Sequence, residues 1–227
     1  MFPIPLPAVL VDIETTGGHV TGDRITEIAI IEITESGTSE WSTLINPGIH
    51  IPLSIQSLTG ISNAMVASAP RFEQVAKEIL LRLQDKLFIA HNVRFDYGFI
   101  RNEFARLGHQ FTAPLLCTVK LSRSLYPEHK SHSLANIIAR HRIAVQDRHR
   151  ALADTRATLA FMQLALAEKG DEKFTAAVRK QSGKASAPPG LPSDLIDQLP
   201  NQPGVYYFWS ERRELLYIGK SLDIRKR

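Results

Sequence analysis

At 227 residues, 44% hydrophobic and 22% charged, the chain has an ordinary globular composition, which excludes a disordered or fibrous protein and leaves room for one full domain plus something smaller. Its 27 Lys and Arg against 23 Asp and Glu leave a formal charge of +4, which suits a polyanionic partner without demanding one. A single cysteine, Cys117, excludes an internal disulfide and a cysteine-cluster zinc site, and no apolar stretch approaches the roughly 20 residues of a membrane span.

Ala8–Ile13, Thr26–Ile33 and Trp41–Ile45 are rich in Ile and Val and separated by Gly, Ser and Thr clusters, which predicts a three-stranded meander. The period then changes. Phe72, Val75, Ala76, Ile79, Leu80 and Leu83 fall on one face of a helix over Arg71–Leu83. Lys86–Ala90 reads as a strand, Asp96–Arg106 as a helix, Leu115–Val119 as a short strand holding a buried Cys117, and His132–His141 and Ala151–Ala167 as two helices. Three strands followed by alternating helices and strands indicate an α/β fold around a mixed sheet with helices on both faces. From about Glu168 the periodicity fades, and the Ser, Gly, Pro and Ala of 182–193 predict a linker. The expected division is a domain over 1–168, a linker over 169–198 and a further segment over 199–227. In that segment Gly204–Phe208 and Leu215–Gly219 read as two strands of a hairpin, too few to bury a core alone.

Two acids interrupt the first apolar run. In a strand, residues i and i+2 share a face, which puts Asp12 and Glu14 roughly 7 Å apart. Their repulsion at an effective dielectric near 20 is about 2 kcal/mol. Taken alone the pair is read equally well as a strand end entering a turn or as half of a cation site. Asp96 at a helix start and His149 five residues before Asp154 are likewise ordinary one by one, as capping or solvated groups. Taken together, the four carboxylates balance the charge of two divalent cations, and an oxygen donor set suits Mg²⁺ or Mn²⁺. Two such ions clamp an in-line displacement at phosphorus. An imidazole, with an unperturbed pKa near 6.5, is the natural base for the attacking water, which points to His149.

The segments DIETTG, AHNVRFD and HRALAD, in that order, resemble the three motifs of the DEDDh 3′→5′ exonucleases, the family of the DNA polymerase III epsilon subunit and RNase T. The resemblance covers about the first three quarters of the chain and implies an RNase H-like fold, two divalent metal ions and removal of nucleoside monophosphates from 3′ ends. Carried over by position, it implies Asp12, Glu14, Asp96 and Asp154 as metal ligands and His149 as general base. It also implies substrate contacts at Thr15, Thr16 and Gly17, whose other reading is a tight turn. Leu58, Thr59 and Ile61 match the segment that wedges a side chain against the terminal base, a contact that reads any base. Asn92 could bond a phosphate oxygen or close a turn, and Phe95 could line the cleft or belong to the core. Lys120, Arg123, Lys130 and His132 are candidates for tracking phosphates or for plain surface.

The strands near the C-terminus, with Gly204-Val205-Tyr206 and Tyr217-Ile218-Gly219, resemble the start of the GIY-YIG nucleases as found in UvrC. That resemblance implies phosphate-handling roles for Tyr206, Tyr217, Lys220 and, by spacing, Arg227. The family's metal-binding glutamate has no match here, so this chain is expected not to cut internally.

The expected activity is a metal-dependent exonuclease on single-stranded or frayed DNA 3′ ends, in proofreading or repair, with DNA polymerase III or repair proteins as partners. An RNA exonuclease of RNase T type, and a non-catalytic nucleic-acid-binding accessory to a GIY-YIG endonuclease, are the alternatives. The N-terminus lacks the marks of a signal peptide, so a cytoplasmic location without a membrane partner is expected.

Overall fold

Residues 8–15 alternate so that Val9, Val11 and Ile13 enter one apolar cluster while Ala8 and Leu10 enter another, which places this strand between two apolar layers. The computed structural model describes residues 2–146, 149–181, 199–200, 202–210, 213–222 and 224. β1 (Ala8–Thr15), β2 (Ile25–Thr34) and β3 (Gly37–Leu44) form the expected antiparallel meander, with Asp12 opposite Ala29 and Glu14 opposite Glu27. β4 (Leu87–Ala90) pairs parallel with the other side of β1, and β5 (Leu115–Cys117) pairs parallel with β4. The order β3-β2-β1-β4-β5 is a mixed sheet with β1 at its centre.

Between β3 and β4 lie α1 (Leu53–Thr59), α2 (Asn63–Val66) and α3 (Phe72–Leu83), and α4 (Arg94–Arg106) follows β4. α3, through Phe72, Ala76, Ile79 and Leu83, and α4, through Phe99, Ile100 and Phe104, cover the Val9 face. α5 (Thr118–Leu125), α6 (Leu134–His141) and α7 (Ala151–Arg179) cover the Leu10 face with Leu121, Leu125, Ile137, Phe161 and Met162. Helices therefore lie on both faces of the sheet, as the alternation of elements requires.

Several boundaries differ from the sequence expectation. β3 begins at Gly37 rather than Trp41 because an exposed edge strand of polar residues, GTSEWSTL, carries little apolar signal. The strand read to Val119 stops at Cys117, and Thr118 starts α5 instead, with its hydroxyl 3.0 Å from Nδ1 of His91. The helix expected to end near Glu168 runs on to Arg179, so the linker does not begin at 169. Gly170, at φ 78 and ψ 162, breaks the helical path. Phe174, Ala177 and Val178 beyond it join the same core as Phe161 on a shifted phase. That phase shift is why the periodicity fades in the sequence while the packing continues. Residues 182–198 lie outside the described residues.

The chain divides into two units, Met1–Ser182 and Gly183–Arg227. In the second, β6 (Gly204–Trp209) and β7 (Leu215–Ser221) form an antiparallel hairpin with Tyr206 opposite Gly219. The Tyr206 ring lies where a Cβ on residue 219 would stand, which is the physical reason for glycine in that strand. Val205, Tyr207, Phe208, Trp209, Tyr217 and Ile218 are all about half exposed. Among the described residues no helix is long and apolar enough to cross a membrane.

Candidate active site

Asp12 and Glu14 continue the face of β1 that carries Ala8 and Leu10, at the point where the apolar packing gives way to the start of α7. Asp154 is in the first turn of α7, with its N–H donating to the carbonyl of Arg150 at 3.1 Å. The carboxylates of Asp12, Glu14 and Asp154 each offer an oxygen within 4.8 Å of the others. Asp154 is 6% exposed and Asp96, in the first turn of α4, 3%. Three strands and helices distant in sequence thus deliver four acids to one place.

The electrostatics record that crowding. Burial pushes the Asp12 carboxyl well above its usual range, and Asp96, Glu14, Asp154 and Glu27 add to the effect in that order. Glu14 is pushed up to about 8 by burial, then by Asp154, Glu27 and Asp96, with Arg150 opposing. Asp96 is raised to about 8 by burial, against hydrogen bonds from its own N–H and that of Ile13. Desolvation plus like charge makes the ionised cluster unstable by itself, and nearby positive charge removes the penalty. Since all donors are carboxylate oxygens, the residues fit hard divalent cations.

His149 stands half-buried at φ 63, a left-handed conformation that costs a non-glycine residue about 1 kcal/mol or more. It immediately precedes Arg150, whose guanidinium grips Glu27 of β2 with Nη2 to Oε1 at 2.6 Å. Glu27 and Arg150 were not identified from the sequence. The available signal was a charge inside the apolar run ITEIAII, the same kind of interruption that Asp12 makes in β1.

The expected substrate contacts separate by what they touch. Thr15 Oγ1 donates to the carbonyl of Gly17 at 2.6 Å, and Thr16 Oγ1 donates to Asp23 at 3.1 Å while accepting from the Arg24 N–H at 3.1 Å. A Cβ on Gly17 would meet the Asp23 carboxylate at 2.5 Å. These side chains close the β1–β2 turn. Arg24 of that turn donates to Glu103 of α4 at 2.7 Å, and from α4 itself Arg106, paired with Glu103 at 3.2 Å, donates to the carbonyl of Thr21 at 2.7 Å and Asn102 to that of Val20 at 2.7 Å. Of Leu58, Thr59 and Ile61, only Leu58 presents apolar surface, at 54% exposed. Ile61 is fully buried with Ile51 and Val66, and the Thr59 hydroxyl bonds the Ile55 carbonyl and the Ile61 N–H, so both hold the loop together.

Asn92 is exposed at φ 69, and its backbone carbonyl accepts from the Phe95 N–H at 2.9 Å. Phe95 packs half-buried on the core, 4.9 Å from the Phe99 ring centroid. Lys120, Arg123 and Lys130 are exposed. His132 is not a surface group. It is buried, with its ring nitrogens bonded to Ser122 Oγ at 2.8 Å and to the His129 carbonyl at 2.9 Å. Tyr206, Tyr217 and Lys220 are on β6 and β7 of the second unit, and Arg227 lies outside the described residues.

A central strand carrying two acids, flanked by helices that add two more, defines the class: an RNase H-like α/β fold with an acidic centre. The exonuclease (RNase T) family model matches residues 9–162, and the chain belongs to that family. A Mycobacterium tuberculosis (strain CDC 1551 / Oshkosh) protein, named as a bifunctional exonuclease/endonuclease, is 34% identical over 231 residues, covering 96% of this chain and 36% of that protein. The 3′-5′ exonuclease DinG of Bacillus subtilis (strain 168) is 38% identical over 161 residues, 69% of this chain and 17% of DinG. The DNA polymerase III subunit epsilon of Aquifex aeolicus (strain VF5) is 37% identical over 154 residues, 66% of this chain and 75% of that subunit. The chain therefore spans only about a third and a sixth of the first two relatives. In fold it is similar to exonuclease I, with a TM-score of 0.65 at 21% identity, over 74% of this chain and 42% of that one.

Proposed function

We propose that this chain removes nucleoside monophosphates one at a time from the 3′ ends of DNA, using two divalent metal ions, Mg²⁺ or Mn²⁺. The observation that carries the reading is the convergence of Asp12, Glu14 and Asp154 within 4.8 Å, with buried Asp96 raising the Asp12 carboxyl beside them. Membership of the exonuclease family and the names of the DinG and epsilon relatives support it.

Asp12, Glu14, Asp96 and Asp154 would hold the cations. Bound there, such ions supply an activated water and stabilise the charge on the leaving oxygen. The chain's own part is to position and to move a proton. His149 would accept the proton of the attacking water on a ring nitrogen, and the carboxylates, by holding the cations, would set where the scissile phosphate can lie. Leu58 offers an exposed apolar side chain against the terminal base, a contact that tolerates any sequence. Exposed Lys120, Arg123 and Lys130 supply phosphate contacts further along the strand. The epsilon relative supports a DNA polymerase III or repair setting.

The test is direct. With Mg²⁺ or Mn²⁺ the protein should shorten a 5′-end-labelled single strand stepwise, and Asp12→Ala should abolish shortening. Absence of release with either metal overturns the reading. A matched RNA strand run in parallel separates DNA from RNA activity, since a tolerated 2′-OH would give equal rates.

We propose also that the hairpin β6–β7 belongs to a second, GIY-YIG-like nuclease module, with Tyr206, Tyr217, Lys220 and Arg227 as its early residues. Similarity to the bifunctional mycobacterial relative across 96% of this chain supports this reading.

A further inference from the structure

A fifth carboxylate stands against the four. Glu27 is directly opposite Glu14 in the β1–β2 ladder and only 5% exposed, and like charges facing each other across a ladder are unfavourable. A buried acid in such a position needs a compensating partner, and Glu27 has one for each oxygen. Oε1 accepts from Nη2 and Nε of Arg150 at 2.6 and 3.2 Å, and Oε2 accepts from Nε at 3.1 Å and from the backbone N–H of Ala151 at 2.9 Å.

Ala151 is the first residue of α7, and Arg150, at the N-cap position, makes no cap with its own side chain. A carboxylate on β2 therefore satisfies one of the four N–H groups that a helix start leaves unpaired. The helix start is bound to the sheet beside Glu14. Two groups are placed by that attachment. Asp154 follows one turn later through its bond to the Arg150 carbonyl at 3.1 Å, and His149 precedes Arg150 in a left-handed conformation that persists only under restraint.

We propose that Glu27 and Arg150 form a clamp that positions His149 and Asp154 against the carboxylates of β1, and that Glu27 acts through α7 and is not itself a ligand of the cations. The proposal rests on the roles given above to His149 and Asp154. It also closes the charge balance. Arg150 neutralises Glu27, which leaves Asp12, Glu14, Asp96 and Asp154 to match two divalent ions.

Three variants test it, in the full chain: Glu27→Gln, which keeps an oxygen for the Ala151 N–H and loses the charge and the two-pronged pairing; Arg150→Lys, which keeps the charge and loses the fork; and Asp12→Ala as a control for the activity itself. One readout is kcat and KM on 5′-labelled single-stranded DNA across a Mn²⁺ titration. The other is the His149 ring resonance in cation-free protein, assigned with His149→Gln. Glu27→Gln should lower kcat by about 10- to 100-fold, with Arg150→Lys lying between it and wild type. KM and the Mn²⁺ half-saturation should stay within about threefold of wild type, and the His149 resonance should move in both variants.

A half-saturation raised tenfold or more, with kcat restored at saturating Mn²⁺, would make Glu27 a ligand and overturn the proposal. So would an unchanged kcat together with an unmoved His149 signal. If Glu27→Gln does not fold, Arg150→Lys decides by the same measurements. Should wild type and Asp12→Ala prove equally inert, the nuclease reading fails, and the His149 resonance alone still decides whether the clamp exists.

Discussion

The acidic residues work against the fold that holds them. Glu14 and Asp96 keep their protons in the cation-free folded protein up to about pH 8, whereas their ordinary values are 4.5 and 3.8. A group whose folded pKa is raised contributes stability that is full below its unfolded pKa and is lost as pH rises through the folded one. In EDTA the melting temperature should therefore fall between about pH 5 and pH 8, and Mg²⁺ or Mn²⁺ should restore it at pH 8. A flat profile would mean the cluster carries no such strain. For the same reason Asp12→Asn should raise the melting temperature in EDTA at pH 8 while abolishing strand shortening, the trade of stability against activity expected where like charges are forced together.

At the scale of elements, α7 does the most. It closes the second face of the sheet with Phe161, Met162 and Ala165, and it delivers Asp154 at its first turn. Phe161 is fully buried against Tyr126 and His141, with ring centroids at 6.2 and 5.6 Å. Phe161→Ala should cost about 3–5 kcal/mol in urea unfolding, since it leaves a cavity as well as losing burial. The β1–β2 turn is a second element with a defined anchor. Glu103 is 2% exposed and receives both Arg24 and Arg106, so Glu103→Ala should destabilise by about 2 kcal/mol through the lost charge-assisted bonds, measured the same way. The strands and long helices were legible because their apolar residues repeat at 2 or 3.6. α1 and α2 were not, because the first is mostly exposed and the second has four residues, too short to show a period. The true end of α7 was hidden by Gly170, which resets the phase without ending the packing.

On the scale of the whole molecule, the two units carry different expectations. The first holds the acidic centre and all three apolar clusters, so residues 1–182 alone should keep the strand-shortening activity of the full chain within about threefold, as a side-by-side assay would show. Loss of that activity would assign the second unit a part in it.

The sequence by itself determined the mixed α/β sheet, and it marked the four acids and His149 as candidates through the resemblance that joined them, because strand alternation, helix period and motif order are all written locally. Only the tertiary structure decided which neighbours complete the site. Glu27 and Arg150 lie 123 residues apart and meet because β2 pairs with β1 exactly where α7 begins. Ile61 and His132 proved to be buried, and the hydroxyls of Thr15 and Thr16 to be committed to their own turn. Burial and partner choice are properties of packed surfaces, and a linear pattern of residue types does not contain the distances that set them.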